Sequence, residues 1–200
     1  MRDVERDCYP RGEPRDVGEK GAGLPLPVGH TLHWGVVRLR VPAQDDLAFI
    51  RRMWADVETM EPVGGPVVLS AEETVRWYAR WVEPGSPDRA YWLVTCEGRP
   101  VGEISFRCFD TRARAGMLNV KIASWERGHG YARQAVQALL RYFFEDLAGT
   151  QMNDDVALAN AGGQSLILSA GFTRDSTATD VCRLVLTREQ WKARRSAGQA

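Results

Sequence analysis

The sequence predicts a mixed α/β (α+β) domain, a mostly antiparallel central sheet flanked by helices in the order β-α-α-β-β-β-α-β-α-β. Three observations carry that prediction. Strand-like runs at 90–96, 101–109 and 115–122 follow one another, with turn residues at Gly98-Arg99-Pro100 and at 110–114. From Ala132 the apolar residues recur as Ala135, Val136, Leu139, Leu140, Phe143, Phe144 and Leu147, the spacing of a helix with one buried face. Two capped helical patterns separate the first strand from this group.

Residues 1–30 read as a flexible arm, because Met1 to Lys20 is dense in Arg, Asp and Glu and Gly21 to Gly29 is rich in Gly and Pro. Residues 31–200 form the folded domain. Val36 to Val41 is a strand broken by Pro42, after which Asp45 or Asp46 caps a helix burying Leu47, Ile50, Met53, Trp54 and Val57. Ser70 and Glu73 form a capping box for a second helix that buries Tyr78, Trp81 and Val82 and stops at Pro84-Gly85. After the long helix come a strand near Met152 to Leu158, a short helix capped by Asn160 and closed by Gly171, and a strand from Val181 to Leu186. Thr187 and Gln190 have capping-box spacing for a terminal helix.

A chain of 200 residues with 44% apolar content suits one domain with one substantial core. The net charge is zero, so bulk electrostatics give no reason to expect a nucleic acid partner. No apolar run approaches the roughly 20 residues of a membrane span. Cys8, Cys96, Cys108 and Cys182 lie far apart and read as reduced thiols of a cytoplasmic protein. His30 and His33 have no Cys or carboxylate at metal-site spacing, so no metal is expected.

The chemistry centres on Arg127-Gly128-His129-Gly130-Tyr131-Ala132, between the third strand of the meander and the long helix. A helix start offers unpaired backbone N–H groups and partial positive charge, and glycines let phosphate oxygens approach them. A dinucleotide fingerprint would need a small residue where Arg133 stands, and a P-loop would need Gly-Lys-Ser/Thr. The pattern Arg127-x-x-Gly130-x-Ala132 instead resembles the Gln/Arg-x-x-Gly-x-Gly/Ala acyl-CoA signature of the GNAT superfamily of N-acetyltransferases. Asn160 precedes Gly171-Phe172 by that family's interval, and the order of elements is the GNAT order over nearly the whole chain after the arm.

The resemblance implies direct acyl transfer from acetyl-CoA to an amine, without a covalent enzyme intermediate. It implies that backbone groups at Val120, Lys121 and Ile122 align the pantetheine arm and that amides from Arg127 through Gly128, His129, Gly130, Tyr131 and Ala132 to Arg133 hold the diphosphate. Asn160 would bond the pantetheine; as a helix cap it also has a purely structural reading. His129 fits a diphosphate contact better than a proton-transfer role. Where many relatives carry a tyrosine that protonates the leaving thiolate, this chain has Ile167, so Ser165, Ser169 or water would have to serve.

No motif fixes the base. Glu103 lies on the strand beside the cofactor strand and faces either the cleft or solvent; Asp155 orients substrate or makes a structural bond. Glu58 and Glu61 would line the acceptor entrance, with solvation alone as the other reading. Trp54, Trp77, Tyr78 and Trp81 have helical spacing that suits core packing better than a pocket. The run Leu186 to Trp191 resembles the end of the branch that holds ribosomal-protein N-terminal and antibiotic acetyltransferases. The expected function is acetylation of a small-molecule primary amine, an antibiotic or metabolite, by a monomer or homodimer. Protein N-terminal acetylation and a non-catalytic acyl-CoA-binding module are the alternatives.

Overall fold

The first expected strand is a hairpin in the computed structural model, which describes residues 31–83 and 85–198. The expected arm at 1–30 and the helix-stopping Pro84 lie outside those residues. β1 (Leu32–Trp34) and β2 (Val37–Arg40) pair around Gly35, whose φ is +55°, so Val36 stands exposed in the turn instead of opening a strand. Asp46 does not cap the next helix as expected. Its carboxylate holds the Arg40 guanidinium at 2.6 and 2.8 Å and accepts from the Ala43 amide at 2.7 Å.

The helix expected through Val57 divides in two, α1 (Leu47–Ala55) and α2 (Val57–Met60), because Asp56 turns extended and caps α2. α3 (Ala71–Trp81) begins at the expected Ser70–Glu73 capping box. Then β3 (Ala90–Cys96), β4 (Arg99–Asp110) and β5 (Ala115–Ile122) form the expected antiparallel meander. α4 (Tyr131–Arg141) runs on into a π-helical turn, Tyr142–Asp146. After it come β6 (Gln151–Val156), α5 (Ala161–Ser169), the two-residue β7 (Thr173–Arg174), β8 (Cys182–Thr187) and α6 (Arg188–Ser196), which starts at its Thr187–Gln190 capping box. The eight strands form one mixed sheet in the order β1-β2-β3-β4-β5-β6-β8-β7.

Alternation along β3 divides the core between the two faces of this sheet. Trp92 and Val94 pack with Ile104, Phe106, Leu139 and Phe143 on the face covered by α4, and Tyr91 and Leu93 pack with Ile50, Met53 and Trp54 on the face covered by α1 and α3. No helix among the described residues is long and apolar enough to cross a membrane. Cys96 and Cys182 are free and buried as expected, but Cys108 is disulfide-bonded, so the reading of reduced thiols does not hold for it.

One irregularity positions the site. β5 pairs with β4 from Ala115 to Ile122, yet it meets β6 in parallel only at Ala115↔Gln151, Gly116↔Met152 and Met117↔Asn153. Beyond Met117 the two strands part, leaving a notch with one edge of Leu118 to Ile122 uncovered. The other edge is held very close to β4 at Gly102, opposite Ile122, where a Cβ would overlap the Lys121 carbonyl oxygen. Gly102→Ala should therefore push the two strands apart and destabilise the fold by about 1 to 3 kcal/mol of overpacking. Thermal denaturation measures it, and an unchanged melting temperature would show that the strands separate freely.

Candidate active site

The loop from β5 to α4 is shaped by two left-handed glycines. Gly128 has φ +86° and Gly130 φ +73°, conformations that an L side chain resists, and a Cβ at either would meet nothing within 4 Å. The space beside the loop is open. Gly130 is the N-cap of α4 and supplies no side-chain acceptor, so the first-turn N–H groups stay available to an anion. This cradle fits the diphosphate that the sequence implies. His129 places Nδ1 3.3 Å from the Glu126 carbonyl oxygen and stacks on Tyr131, and Arg133 is exposed on the first turn.

The Arg127 side chain turns away from the loop toward α2. Its Nη2 donates to the carbonyl oxygens of Glu58 at 3.0 Å and Thr59 at 3.4 Å, and Nη1 lies 3.8 Å from the exposed Glu58 carboxylate. A second tie lies alongside. The Asp56 carboxylate accepts from the Thr59 amide and hydroxyl at 2.8 and 2.6 Å and from the Ser124 hydroxyl at 2.7 Å, and the bonds from Thr59 and Ser124 hold its pKa below the usual range. A third tie is Asn160, whose Oδ1 accepts from the Gly163 amide at 2.8 Å while Nδ2 donates to the Pro62 carbonyl at 3.4 Å. Pro62 follows the exposed Glu61 in a short 3-10 turn. Glu58, Glu61, Asn160 and the glycine loop at 127–130 are thus brought to one rim.

Glu103 is buried, 2% exposed, so its solvent-facing reading does not hold. One oxygen accepts from the Trp54 indole N–H at 2.7 Å and from the Tyr91 hydroxyl; the other accepts from Lys121 Nζ at 2.5 Å. Trp77 packs edge-on against both Trp54 and Tyr91. Burial, and then the Glu103 charge, pushes the Tyr91 pKa well above its ordinary value. The carboxylate thus has three donors shared between its two oxygens. Trp54 belongs to this cluster, whereas Tyr78 bonds the Pro42 carbonyl and Trp81 carries the Arg89 guanidinium, as core and surface packing.

Asp155 and Ser169 stand apart from it. Asp155 accepts two bonds from Arg183, at 2.8 and 2.9 Å. The Ser169 hydroxyl donates to Leu166 at 2.7 Å on the exposed end of α5, where its carbonyl accepts from Arg194. Ile167 is 1% exposed in the core. The residue that sequence reasoning missed is Asp154. It shares a face of β6 with buried Met152 and Val156, and burial, reinforced by the neighbouring Asp155 charge, raises its pKa to about 7. The signal was available, since strand alternation alone points it inward. No group of His, Cys, Asp and Glu that could hold a metal occurs among the described residues.

Two outcomes follow. Lys121→Met leaves the Glu103 charge buried with two neutral donors and should cost about 3 to 5 kcal/mol, while the double variant with Glu103→Gln recovers most of it. Denaturant titration of the three proteins checks this; an additive double variant would mean the pair is uncoupled. The second concerns pH. With its folded pKa above the ordinary 3.8, Asp154 binds its proton more tightly when folded, so stability declines as pH rises from 3.8 through about 7. Asp154→Asn should then be more stable than wild type at pH 8, by about 1 to 4 kcal/mol, and no more stable at pH 4. Melting curves at both pH values decide.

Residues 37–173, more than half of the chain, match the family described as Acetyltransferase (GNAT) domain. No curated protein matches the sequence. Among solved structures, spermidine N-acetyltransferase from Vibrio cholerae, in complex with CoA and spermine, superposes with a TM-score of 0.71 at 19% identity, covering 78% of this chain and 98% of its own. A ribosomal-protein-serine acetyltransferase assigned in Vibrio cholerae gives 0.67 at 18%, over 80% and 98%. Mycobacterium smegmatis RimJ, in complex with CoA-disulfide, gives 0.66 at 19%, over 85% and 94%. With the fold and the family profile in agreement, this chain belongs to the GNAT acetyltransferases.

Proposed function

We propose that the protein transfers an acetyl group from acetyl-CoA to the primary amine of a small cationic molecule, an amine-bearing antibiotic or metabolite. The observation that carries the donor half is the parted edge of β5 leading directly to the uncapped, glycine-lined start of α4. In this reading the backbone of Val120, Lys121 and Ile122 lines the pantetheine arm as an added strand would. The amides from Gly128 to Arg133 face the diphosphate, and Asn160 closes the far side of the notch. Acetyl-CoA supplies the activated thioester carbonyl.

The acceptor half rests on charge and on likeness. Glu58 and Glu61 stand exposed on the rim beside the loop, where carboxylates attract a cation and orient it. Spermine, bound by the similar spermidine acetyltransferase, is a small amine of that kind. A second reading, acetylation of a protein N-terminus, draws on the ribosomal-protein acetyltransferase among the similar structures.

Thiol release from acetyl-CoA, followed against spermidine, an aminoglycoside, simple primary amines and N-terminal peptides, distinguishes these readings. Turnover with the polycations supports the first, turnover confined to peptides replaces it with the second, and acetyl-CoA binding without turnover on any amine points to a non-catalytic acyl-CoA-binding module. The donor site has its own test. Gly130→Asp places a side chain and a negative charge in the phosphate space, so acetyl-CoA affinity should fall at least about tenfold, the loss of one charge-assisted bond. Calorimetric titration reads it, and undiminished affinity in the folded variant would remove the donor-site assignment.

A further inference from the structure

Attack of an amine on a thioester leaves two charges to settle: the nitrogen carries a surplus proton, and the sulfur departs as a thiolate that needs one. Ser169, Glu103 and Asp155 are committed elsewhere. Ile167 has no proton to give, and the Ser169 hydroxyl is bonded within its own helix on the exposed end of α5. Glu103 is held by three donors and Asp155 by the Arg183 fork.

Asp154 is placed differently. It is the first residue of β6 beyond the last β5–β6 pair, Met117↔Asn153, and so stands at the vertex of the notch. On its own strand face its neighbours are the buried Met152 and Val156, and across β8 it faces Leu184, 0% exposed. Ile167 of α5 packs in that same core, and Gln164 of α5 donates to the Ala157 and Leu158 carbonyls. The charges acting on Asp154 are Asp155, next along the chain, and Arg107 of β4, whose Nε has no hydrogen-bond partner among the described residues. Asp154 is nonetheless not fully buried as a residue.

We propose that the Asp154 carboxyl, at the vertex where β5 and β6 part, relays the proton of acetyl transfer from the attacking amine nitrogen to the departing sulfur. The C–N bond forms and the C–S bond breaks; the proton leaves nitrogen for Asp154 Oδ and then leaves Oδ for sulfur, so Asp154 ends as it began. No further reactant is required. A carboxyl that titrates near neutrality exists in both forms at the working pH, as a group that both accepts and donates must. The proposal rests on the notch being the acyl-donor site.

The test combines Asp154→Asn, Asp154→Glu and a readout independent of turnover. Carbon-13 NMR of aspartate-labelled protein should show one carboxyl titrating near pH 7, absent in Asp154→Asn and displaced when acetyl-CoA is added. Asp154→Asn should bind acetyl-CoA within about threefold of wild type but lose about 10²- to 10³-fold in kcat/KM with the fastest amine of the panel. That loss should shrink with acyl thioesters of more acidic thiols, and Asp154→Glu should recover part of the rate. Wild-type pH and leaving-group profiles in an Asp154→Asn protein that binds acetyl-CoA would overturn the relay while leaving the donor site standing. An Asp154 carboxyl that titrates in the ordinary range, or ignores bound acetyl-CoA, would overturn it too, even if both variants failed to fold. Failure of the donor-site reading shows separately, as undiminished affinity in Gly130→Asp.

Discussion

The parting of β5 from β6 is the constraint around which the rest of the molecule is arranged. A strand edge inside a sheet is normally paired, because each uncovered N–H or C=O held from water costs free energy. Here the pairing is firm at one end and absent at the other. The Arg114 guanidinium donates to the Leu147 and Ala148 carbonyls, Thr150 donates to the Arg114 carbonyl at 2.8 Å, and the Asn153 amide reaches the Gly116 carbonyl at 3.3 Å. Those bonds close the vertex and leave the strands free to diverge above it. From the open edge the chain reaches the start of α4 through one short loop, so the uncovered backbone and the glycine-lined helix start lie together by connectivity alone.

Opposite α4, the helices α1 to α3 are fixed to the sheet by polar contacts. Glu103, Lys121, Trp54 and Tyr91 form a buried cluster whose members come from β4, β5, α1 and β3. Burying charge is costly, and an apolar cluster of the same shape would serve stability as well or better. What the polar cluster adds is direction. The indole N–H of Trp54 has one acceptor to find, which sets how α1 sits above β4. Asp56 with Thr59 and Ser124, Arg127 with the α2 carbonyls, and Asn160 with Pro62 extend the same logic to the rim. Together these contacts tie the α2 turn to the loop between β5 and α4.

Local chemistry made much of this legible in the sequence. The capping boxes at Ser70 and Thr187, the Asn160 cap and the strand meander depend on residues a few positions apart, and all of them form. What depended on register was not legible. Glu103 faces α1 because it lies opposite Lys121 and Leu93, and that register passes through a bulge near Cys108, a non-glycine residue at φ +53° that no pattern announces. Asp154 was legible from alternation along Met152, Asp154 and Val156, which states which carboxyl turns toward the apolar core. The opening hairpin was missed for a simpler reason: Gly35 reverses the chain just before the stretch from Val36 to Val41 that reads as one strand.

Two carboxylates of the sheet, Glu103 and Asp154, illustrate how one sheet gives the same functional group different chemistry. Glu103 lies on the face covered by α1 and α3, with an ammonium at 2.5 Å and two neutral donors, whereas Asp154 points to the other face, where its strand neighbours are apolar and the next charge along the chain is another carboxylate. Opposite environments of this sort push paired acids toward separate roles. A carboxylate compensated by several donors holds geometry well. One that is desolvated and beside a like charge is costly to keep ionised, a strain that a fold retains only where the surrounding structure forces it or the chemistry uses it. In this protein the strained member stands at the single point where β5 and β6 separate, and the compensated member anchors the helices that close over the sheet beside it.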